Sequence, residues 1–246
     1  EEITGALSRA LKSGPRMAYF VTGSGEKSID DTNPEGFSSM KDVLEKNNYT
    51  TREISLIEKP EVPEDCTILV IAGPTKDYIE PEIDAIKTYI EKGGRALIMV
   101  DPPLAFGNQQ PPANDALVKL LQGWGVTVNK DLALDTSGVG QIFGLGPEIP
   151  LVTDYDTHAI VREMRGIATV FPLVRTLDVK SDGAASVEKL LETSENSYAT
   201  TSLGSNQIRI DPKKDKRGPF VLAAAGTLKG EQEGRFVVTG GSMWAS

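Results

Sequence analysis

The sequence predicts an α/β fold built on a doubly wound, mostly parallel sheet, and two observations lead to this prediction. Continuous apolar runs such as CTILVIAG (66–73) and RALIMVD (95–101) are typical of strands that are buried on both faces of a parallel sheet. Between them, residues 80–92 carry isoleucines at helical spacing and are followed by a Gly-Gly pair that ends a helix. Strands alternating with helices of this length require right-handed crossovers, which give a parallel sheet with helices on both faces.

The first half of the chain alternates between these two kinds of element. The predicted strands cover residues 16–22, 49–56, 66–73, 95–101 and 125–128. The predicted helices cover residues 36–47, 80–92 and 114–122. Loops at the carboxyl ends of parallel strands form the usual binding crevice of such sheets. The candidate binding loops are therefore residues 23–27, 73–76, 101–106 and 240–242.

The second half is less regular, and we expect it to hold an insertion. Residues 1–246 are predicted to form a single α/β domain, with a main sheet drawn from about 14–130 and 218–246. The smaller, irregular α+β insertion then covers about 131–217.

Four local predictions concern the insertion and the segment that follows it. Residues 166–179 are strand-like, whereas residues 184–200 are predicted to hold a short helix and a loop. The charged run at 206–219 is predicted to be a solvated turn. Two apolar runs, 220–228 and 234–240, predict a hairpin that rejoins the main sheet.

Composition excludes several classes of function. The net charge is −9, from 35 acidic and 26 basic residues, and an acidic surface repels a phosphate backbone, so no nucleic acid partner is expected. With one cysteine, Cys66, and one histidine, His158, the chain can form neither an internal disulfide nor a Cys/His zinc cluster. The acidic pairs at 30–31 and at 154 and 156 do not follow the EF-hand pattern, so no metal site is predicted.

The stretch YFVTGSGEKS (19–28) resembles a nucleotide-binding turn but lacks its chemistry. A P-loop has glycine directly before lysine, and here Glu26 stands between Gly25 and Lys27. The dinucleotide fingerprint also fails, because Ser28 occupies the place of its third glycine. A carboxylate beside a phosphate is repulsive at short range. We expect the glycines to turn the chain sharply, with one residue at positive φ, and we predict no cofactor.

The candidate nucleophiles are poorly placed for covalent chemistry. Cys66 precedes its strand and so lies at the edge of the sheet opposite the crevice. Ser242 is at a strand–turn junction but lacks the G-x-S-x-G frame of a nucleophile elbow. His158 is available as a base, although a lone histidine in DYDTHAI is more often a capping or surface residue.

Taken together, YFVTGSGEKS, the run from ILVIAGPTKD to GGRALIMVDP, and the terminal GRFVVTGGSMWAS resemble the GldG-like auxiliary components of ABC-type transport systems associated with gliding motility. The family's Thr-Gly-x-Gly-Glu turn is matched by Thr22, Gly23, Gly25 and Glu26. Its later Gly-Pro, Gly-Gly and Asp-Pro pairs are matched by Gly73-Pro74, Gly93-Gly94 and Asp101-Pro102. The chain departs from the family at two places: Ser24 stands where the family usually has histidine, and Gly241 where it has aspartate.

The resemblance implies a fold similar to class I glutamine amidotransferase-like (flavodoxin-like) domains, related to the GIFT domain of intraflagellar transport, without their catalytic cysteine. It also implies a parent protein anchored by transmembrane helices on both sides of this domain, which is consistent with the way the sequence begins and ends. The domain would face the extracytoplasmic, periplasmic side of the cell membrane. Its partners would be an ABC permease and its ATPase.

We therefore expect a non-enzymatic domain that binds a partner protein or an envelope ligand, such as a glycan, at the crevice. The residues expected to line it are Gly23, Ser24, Gly25, Glu26, Gly73, Pro74, Asp101 and Ser242. The alternative is a hydrolase or amidotransferase-like enzyme that uses Ser242 or Glu26 with His158. A glycan-binding module is disfavoured, because two tryptophans and six tyrosines offer few stacking platforms.

Overall fold

The computed structural model describes residues 16–104, 114–180, 183–203 and 210–246. The helices are α1 (Ser38–Lys46), α2 (Glu80–Glu91), α3 (Asp115–Gly123) and α4 (Val139–Ile142). The strands are β1 (Arg16–Thr22), β2 (Tyr49–Ser55), β3 (Cys66–Ala72), β4 (Arg95–Met99), β5 (Val126–Val128), β6 (Leu132–Asp135), β7 (Leu151–Val152), β8 (Thr169–Val170), β9 (Leu177–Val179), β10 (Ala185–Glu192), β11 (Ser197–Thr200), β12 (Lys216–Arg217), β13 (Val221–Leu228) and β14 (Gly234–Thr239).

A large mixed sheet forms the centre of the described chain, in the order β2-β1-β3-β4-β14-β13-β9-β5, with β10 also paired to β13. The first five strands in this order, β2, β1, β3, β4 and β14, run parallel to one another. Beyond β14 the pairings are antiparallel. The predicted α/β class is confirmed, and so is the closing hairpin, because β13 and β14 pair and β14 joins β4.

Both faces of the parallel part are covered, as the apolar runs predict. Side chains alternate across a strand, so Phe20 of β1 and Val70 of β3 face one side and pack in a cluster with Phe37, next to α1. Leu69 and Ile71 of β3 face the other side, where they pack with residues of α2 and α3. The strands β1, β3 and β4 are apolar at most positions because both of their faces meet a helix or its flanking loop.

Helix α2 follows its sequence signals closely. Pro81 lies in its first turn, where a missing N–H costs nothing. Its apolar stripe is buried through Ile86 and Ile90. Gly93 takes a φ of +95° after the last turn, which allows the chain to leave the helix and enter β4.

The prediction of a short helix in residues 184–200 is wrong, because these residues form β10 and β11. Alternation was the missed signal: Ala185 and Val187 are buried whereas Ser186 and Glu188 are exposed. The helix-forming residues of VEKLLE are overridden by antiparallel pairing of β10 with β13.

The region predicted as an insertion is not separate from the main sheet, since β9 and β10 both join it. The remaining strands of this region form a sheet of β12, β11 and β6 and a small pair of β7 and β8. The predicted strand at 166–179 is divided into β8 and β9. Of the charged run at 206–219, residues 206–209 lie outside the described residues, and β12 falls within the rest.

Within the described ranges, none of the helices is long and apolar enough to cross a membrane.

Candidate functional site at the carboxyl edge of the sheet

The loops predicted to form the crevice meet at one edge of the sheet, because β1, β3, β4 and β14 are parallel neighbours. We call this edge the rim; it consists of residues 23–27, 73–78, 101–104 and 240–242. Backbone hydrogen bonds tie its loops together: the amides of Thr75 and Lys76 donate to the carbonyl of Ser24 at 3.0 and 2.9 Å. The amide of Lys27 donates to the carbonyl of Ala72 at 2.9 Å. Residues 105 and 106 of the third predicted loop lie outside the described residues.

Asp101 and Ser242 form the most specific contact of the rim. The backbone N–H of Ser242 donates to Oδ1 of Asp101 at 2.6 Å, and its hydroxyl donates to Oδ2 at 2.9 Å. Ser242 is fully buried and Asp101 is half-buried. The carboxylate therefore serves as an internal anchor for the loop after β14, and the serine hydroxyl is out of reach of a substrate.

Gly73 makes this contact possible. Its φ is +60°, and a Cβ atom there would lie 2.3 Å from Oδ2 of Asp101 and 2.9 Å from Oγ of Ser242. Only glycine accommodates both the left-handed backbone and the close approach of the two side chains.

Glu26 closes the glycine turn after β1 on itself. Its Oε2 accepts a hydrogen bond from the backbone N–H of Ser24 at 2.8 Å, and its Oε1 accepts one from the hydroxyl of Tyr78 at 2.5 Å. The amide that would face a bound phosphate in a nucleotide-binding loop thus already holds the chain's own carboxylate. Burial, reinforced by Glu26, raises the pKa of Tyr78 well above its ordinary value, so the hydroxyl remains a donor.

Glu82, which sequence reasoning missed, lies buried near this turn at the start of α2. Its Oε2 accepts a hydrogen bond from the N–H of Ile79 at 3.0 Å, whereas Oε1 has no hydrogen-bond partner among the described residues. Burial raises the pKa of Glu82 above its ordinary value, with a smaller contribution from the charge of Glu26. A glutamate in the first turn of a helix is an ordinary capping signal, so no sequence signal reveals that this one is 1% exposed.

The loop after β3 also positions α3. Oδ1 of Asp77 accepts a hydrogen bond from the N–H of Ala116 at 2.9 Å, in the first turn of that helix. The side-chain amide of Asn114 donates to the carbonyl of Pro74 at 3.3 Å. These contacts join segments about 40 residues apart, which a local sequence pattern does not show.

Arg175, also missed by sequence reasoning, supports the rim from below. It is 1% exposed, and its guanidinium donates to backbone carbonyls, among them that of Asp101 at 3.2 Å and that of Asn129. Burial lowers the pKa of Arg175 to about 10, and nearby carboxylates oppose the shift, so the group stays charged at neutral pH. The backbone N–H of Arg175 donates to the carbonyl of Gly240 at 2.8 Å, which connects the segment before β9 to the rim.

The predicted site residues thus divide into three groups by exposure. Ser24, Gly73, Pro74 and Ser242 are buried and hold the loops together, whereas Glu26 and Asp101 are half-buried. Gly23 and Gly25 are exposed, together with Thr75, Lys76 and Asp77, which were not singled out by the sequence.

The groups weighed for catalysis are not brought together. His158 accepts a hydrogen bond from the N–H of Ile160 at 3.2 Å, in its own loop, and no hydrogen bond links it to Ser242 or Glu26 in the described part of the chain. Cys66 begins β3 at the opposite edge, and burial raises the pKa of its thiol to about 11. The described residues contain no cluster of three or more His, Cys, Asp or Glu that is suited to a metal ion.

The fold and the rim together define a mixed α/β domain whose edge loops are held together by hydrogen bonds between their own residues. The family model described as "ABC-type uncharacterized transport system" matches residues 17–236. The chain belongs to this family of auxiliary components of ABC transport, and the expectation of that class is confirmed. No curated protein matches the chain.

Two solved structures with a TM-score above 0.5 show the same fold at low identity. The mmIFT52 N-terminal domain is 20% identical, with a TM-score of 0.67 over 93% of this chain and 88% of that chain. A ThuA-like protein from Bacteroides uniformis ATCC 8492 is 13% identical, with a TM-score of 0.53 over 94% of this chain and 83% of that chain. Exo-beta-1,4-mannosidase Op5Man5 from Opitutaceae bacterium strain TAV5 is 14% identical, with a TM-score of 0.48 over 99% of this chain and 34% of the enzyme.

Proposed function

We propose that this chain is the non-enzymatic, extracytoplasmic domain of a membrane-anchored, GldG-like auxiliary protein of an ABC transport system, of the kind associated with gliding motility. The domain docks a partner of that system, the permease of the permease–ATPase complex, on the rim. Membership of the ABC transport auxiliary family supports the transport role. The likeness in fold to the mmIFT52 N-terminal domain supports a GIFT-related, amidotransferase-like classification.

The observation that carries the proposal is the engagement of the rim's reactive groups in internal bonds. Both oxygens of Asp101 accept hydrogen bonds from Ser242, and both oxygens of Glu26 accept hydrogen bonds from the rim itself. A catalytic carboxylate or hydroxyl must reach the reacting atom of a substrate, within about 3 Å. What the rim presents outward is backbone at two glycines and a short polar loop, which suits protein contact.

The proposal is tested on the full-length protein, purified with its permease and ATPase in detergent or nanodiscs. Thr75→Arg/Lys76→Glu alters the exposed loop of the rim, and Thr50→Arg/Lys46→Glu makes the same changes at exposed positions on β2 and α1. We expect the rim variant to bind the permease–ATPase complex at least about tenfold more weakly, and the control to bind normally. Equal binding by both variants would remove the rim from the interface.

The side of the membrane is tested separately in intact cells. Thr75→Cys places a thiol at an exposed position, whereas the native Cys66 is half-buried and protonated at neutral pH. An extracytoplasmic domain is labelled by a membrane-impermeant maleimide before lysis. Labelling only after lysis would place the domain in the cytoplasm.

A further inference from the structure

A second surface lies away from the rim, along α2 and toward the amino edge of the sheet. It is a groove of about 1330 Å³ between one face of α2, the connection from β2 to β3 at residues 60–64, and the turn between β13 and β14 at residues 231–232. Cys66 at the start of β3 and Gly93-Gly94 before β4 place one end of the groove at the amino edge. The groove therefore does not belong to the site described above.

The shape of the groove fits an extended chain better than a compact molecule. Its volume exceeds the range of about 300–1,000 Å³ that holds typical small ligands. The lining residues of α2 recur at helical spacing from Glu80 to Lys92, so the groove follows the whole helix. Twelve helical residues span about 18 Å, which is the length of five or six residues of an extended peptide.

The lining combines an apolar floor with acidic walls. Val62, Ala85 and the ring of Tyr89 supply apolar surface. Tyr89 is fixed in place, because its hydroxyl exchanges hydrogen bonds with the backbone N–H and carbonyl of Arg95 at 3.2 Å. The carboxylates among the lining residues are Glu61, Glu64, Glu80, Asp84, Glu91 and Glu231, against the single cation Lys92.

Most of these carboxylates are not neutralised within the described residues. Glu61 and Glu91 each lie beside a lysine, at 3.0 and 4.0 Å, in exposed pairs that contribute little. Among the residues that the structure describes, no ion pair involves Glu64, Glu80 or Asp84.

Two features of α2 concentrate negative charge along the groove. Glu80 and Asp84 are like charges four residues apart on one helix face, a spacing at which they repel each other. Glu91 adds a negative charge in the last turn, where the helix dipole disfavours it. A cationic occupant would relieve both penalties.

We propose that this groove docks an extended, basic segment of a partner protein, with lysine or arginine side chains facing the carboxylates and small apolar side chains on the Tyr89 floor. Alternation of side chains along an extended segment presents the two kinds of residue to the wall and the floor in turn. The proposal is independent of the rim, because the two surfaces share no lining residue.

The test is titration of the chain with a fluorescein-labelled hexapeptide of alternating arginine and alanine, followed by fluorescence anisotropy at low and at physiological salt. A hexapeptide with glutamate in place of arginine is the reference probe. We expect saturable binding of the basic peptide alone, weakened by salt. Absence of saturable binding, or equal binding of both peptides, would overturn the proposal.

Matched charge reversals then locate the site. Glu80→Lys/Asp84→Lys reverses the groove, whereas Glu35→Lys/Asp42→Lys makes the same net change at exposed positions around α1. We expect the groove variant to bind at least about tenfold more weakly and the control to bind within about twofold of the unmodified chain. An equal loss in both variants would show attraction to net charge only and would overturn the proposal.

A third measurement does not depend on any variant folding. Amide chemical shifts of the unmodified chain, recorded with and without the basic peptide, should change mainly at residues 60–66 and 84–94 and not at the rim. Changes scattered over the acidic surface, or confined to the rim, would contradict docking in the groove.

Discussion

Ser242 donates its backbone N–H and its hydroxyl to the two carboxylate oxygens of Asp101, at 2.6 and 2.9 Å, although the two residues are 141 positions apart in the chain. This bridge joins the loop after β4 to the loop after β14, two adjacent parallel strands. The sequence alone leaves open whether Asp101 is a site residue or only the end of its strand. In the structure it is the acceptor that organises one half of the rim.

We expect Asp101→Asn to destabilise the fold by about 1–3 kcal/mol, because two hydrogen bonds to a charged acceptor are weakened or lost. Urea unfolding measures the change. Asp42→Asn, at an exposed position on α1, is the control and should stay within about 0.5 kcal/mol of the unmodified chain. Equal stabilities of the two variants would mean that the bridge contributes nothing.

Gly73→Ala should cost more stability than Gly138→Ala, by about 1–3 kcal/mol. Both glycines have a positive φ, +60° and +78°, so both substitutions introduce backbone strain of about 1 kcal/mol. At Gly138 the added Cβ meets nothing within 4 Å, whereas at Gly73 it meets Asp101 and Ser242. The difference between the two variants in thermal or urea unfolding isolates the steric part. A difference near zero would show that the rim relaxes freely.

The stability contribution of Glu82 should fall as pH rises. Burial raises the pKa of Glu82 in the folded state above its unfolded value, so folding favours the protonated form. This contribution is fully present below the unfolded pKa and is lost as pH rises through the folded pKa. The free energy of unfolding of Glu82→Gln relative to the unmodified chain should therefore increase from pH 4 to pH 7.

Urea unfolding of both proteins across that pH range gives the comparison for Glu82, and the difference between them removes the effect of other titrating groups. Glu45→Gln, at an exposed position on α1, serves as the control and should show no such trend. A relative stability of Glu82→Gln that decreases with pH would contradict the assignment of Glu82 as a buried, destabilised carboxylate.

Cys66 should react slowly with a disulfide reagent at pH 7–8. Burial raises the pKa of its thiol to about 11, and only the thiolate attacks, so about 0.1% of the folded protein is reactive at pH 8. Absorbance assays of reaction rate against pH measure this, with urea-unfolded protein as the control, whose thiol titrates near the ordinary value of about 8.5. Fast reaction of the folded chain at neutral pH would revive Cys66 as a candidate nucleophile.

The parallel part of the fold could be predicted because each signal was local. The isoleucine stripe, Pro81 and the glycine pair mark α2 without reference to any other segment. The prediction failed at β10, where VEKLLE favours a helix locally and only the partner strand β13, about 30 residues later, makes it a strand.

The position of the rim could be predicted from the sequence, but the hydrogen bonds within it could not. Parallel strands bring their carboxyl ends together, so the convergence of the loops follows from fold class. The hydrogen bond from Tyr78 to Glu26 joins residues 52 positions apart, and the one from Ala116 to Asp77 joins residues 39 positions apart. Neither separation belongs to a sequence motif from which the contact could be predicted. Burial of Ser242 and Glu82 likewise depends on packing from several segments at once.

A single measurement addresses most directly whether the outward face of the rim meets the transporter. A photo-crosslinking amino acid at Lys76, in the full-length protein assembled with its permease and ATPase, should form a covalent adduct with the permease. The same group at Lys46, which is also exposed and lies on α1, should form none. Adducts from Lys46 with none from Lys76 would contradict docking at the rim.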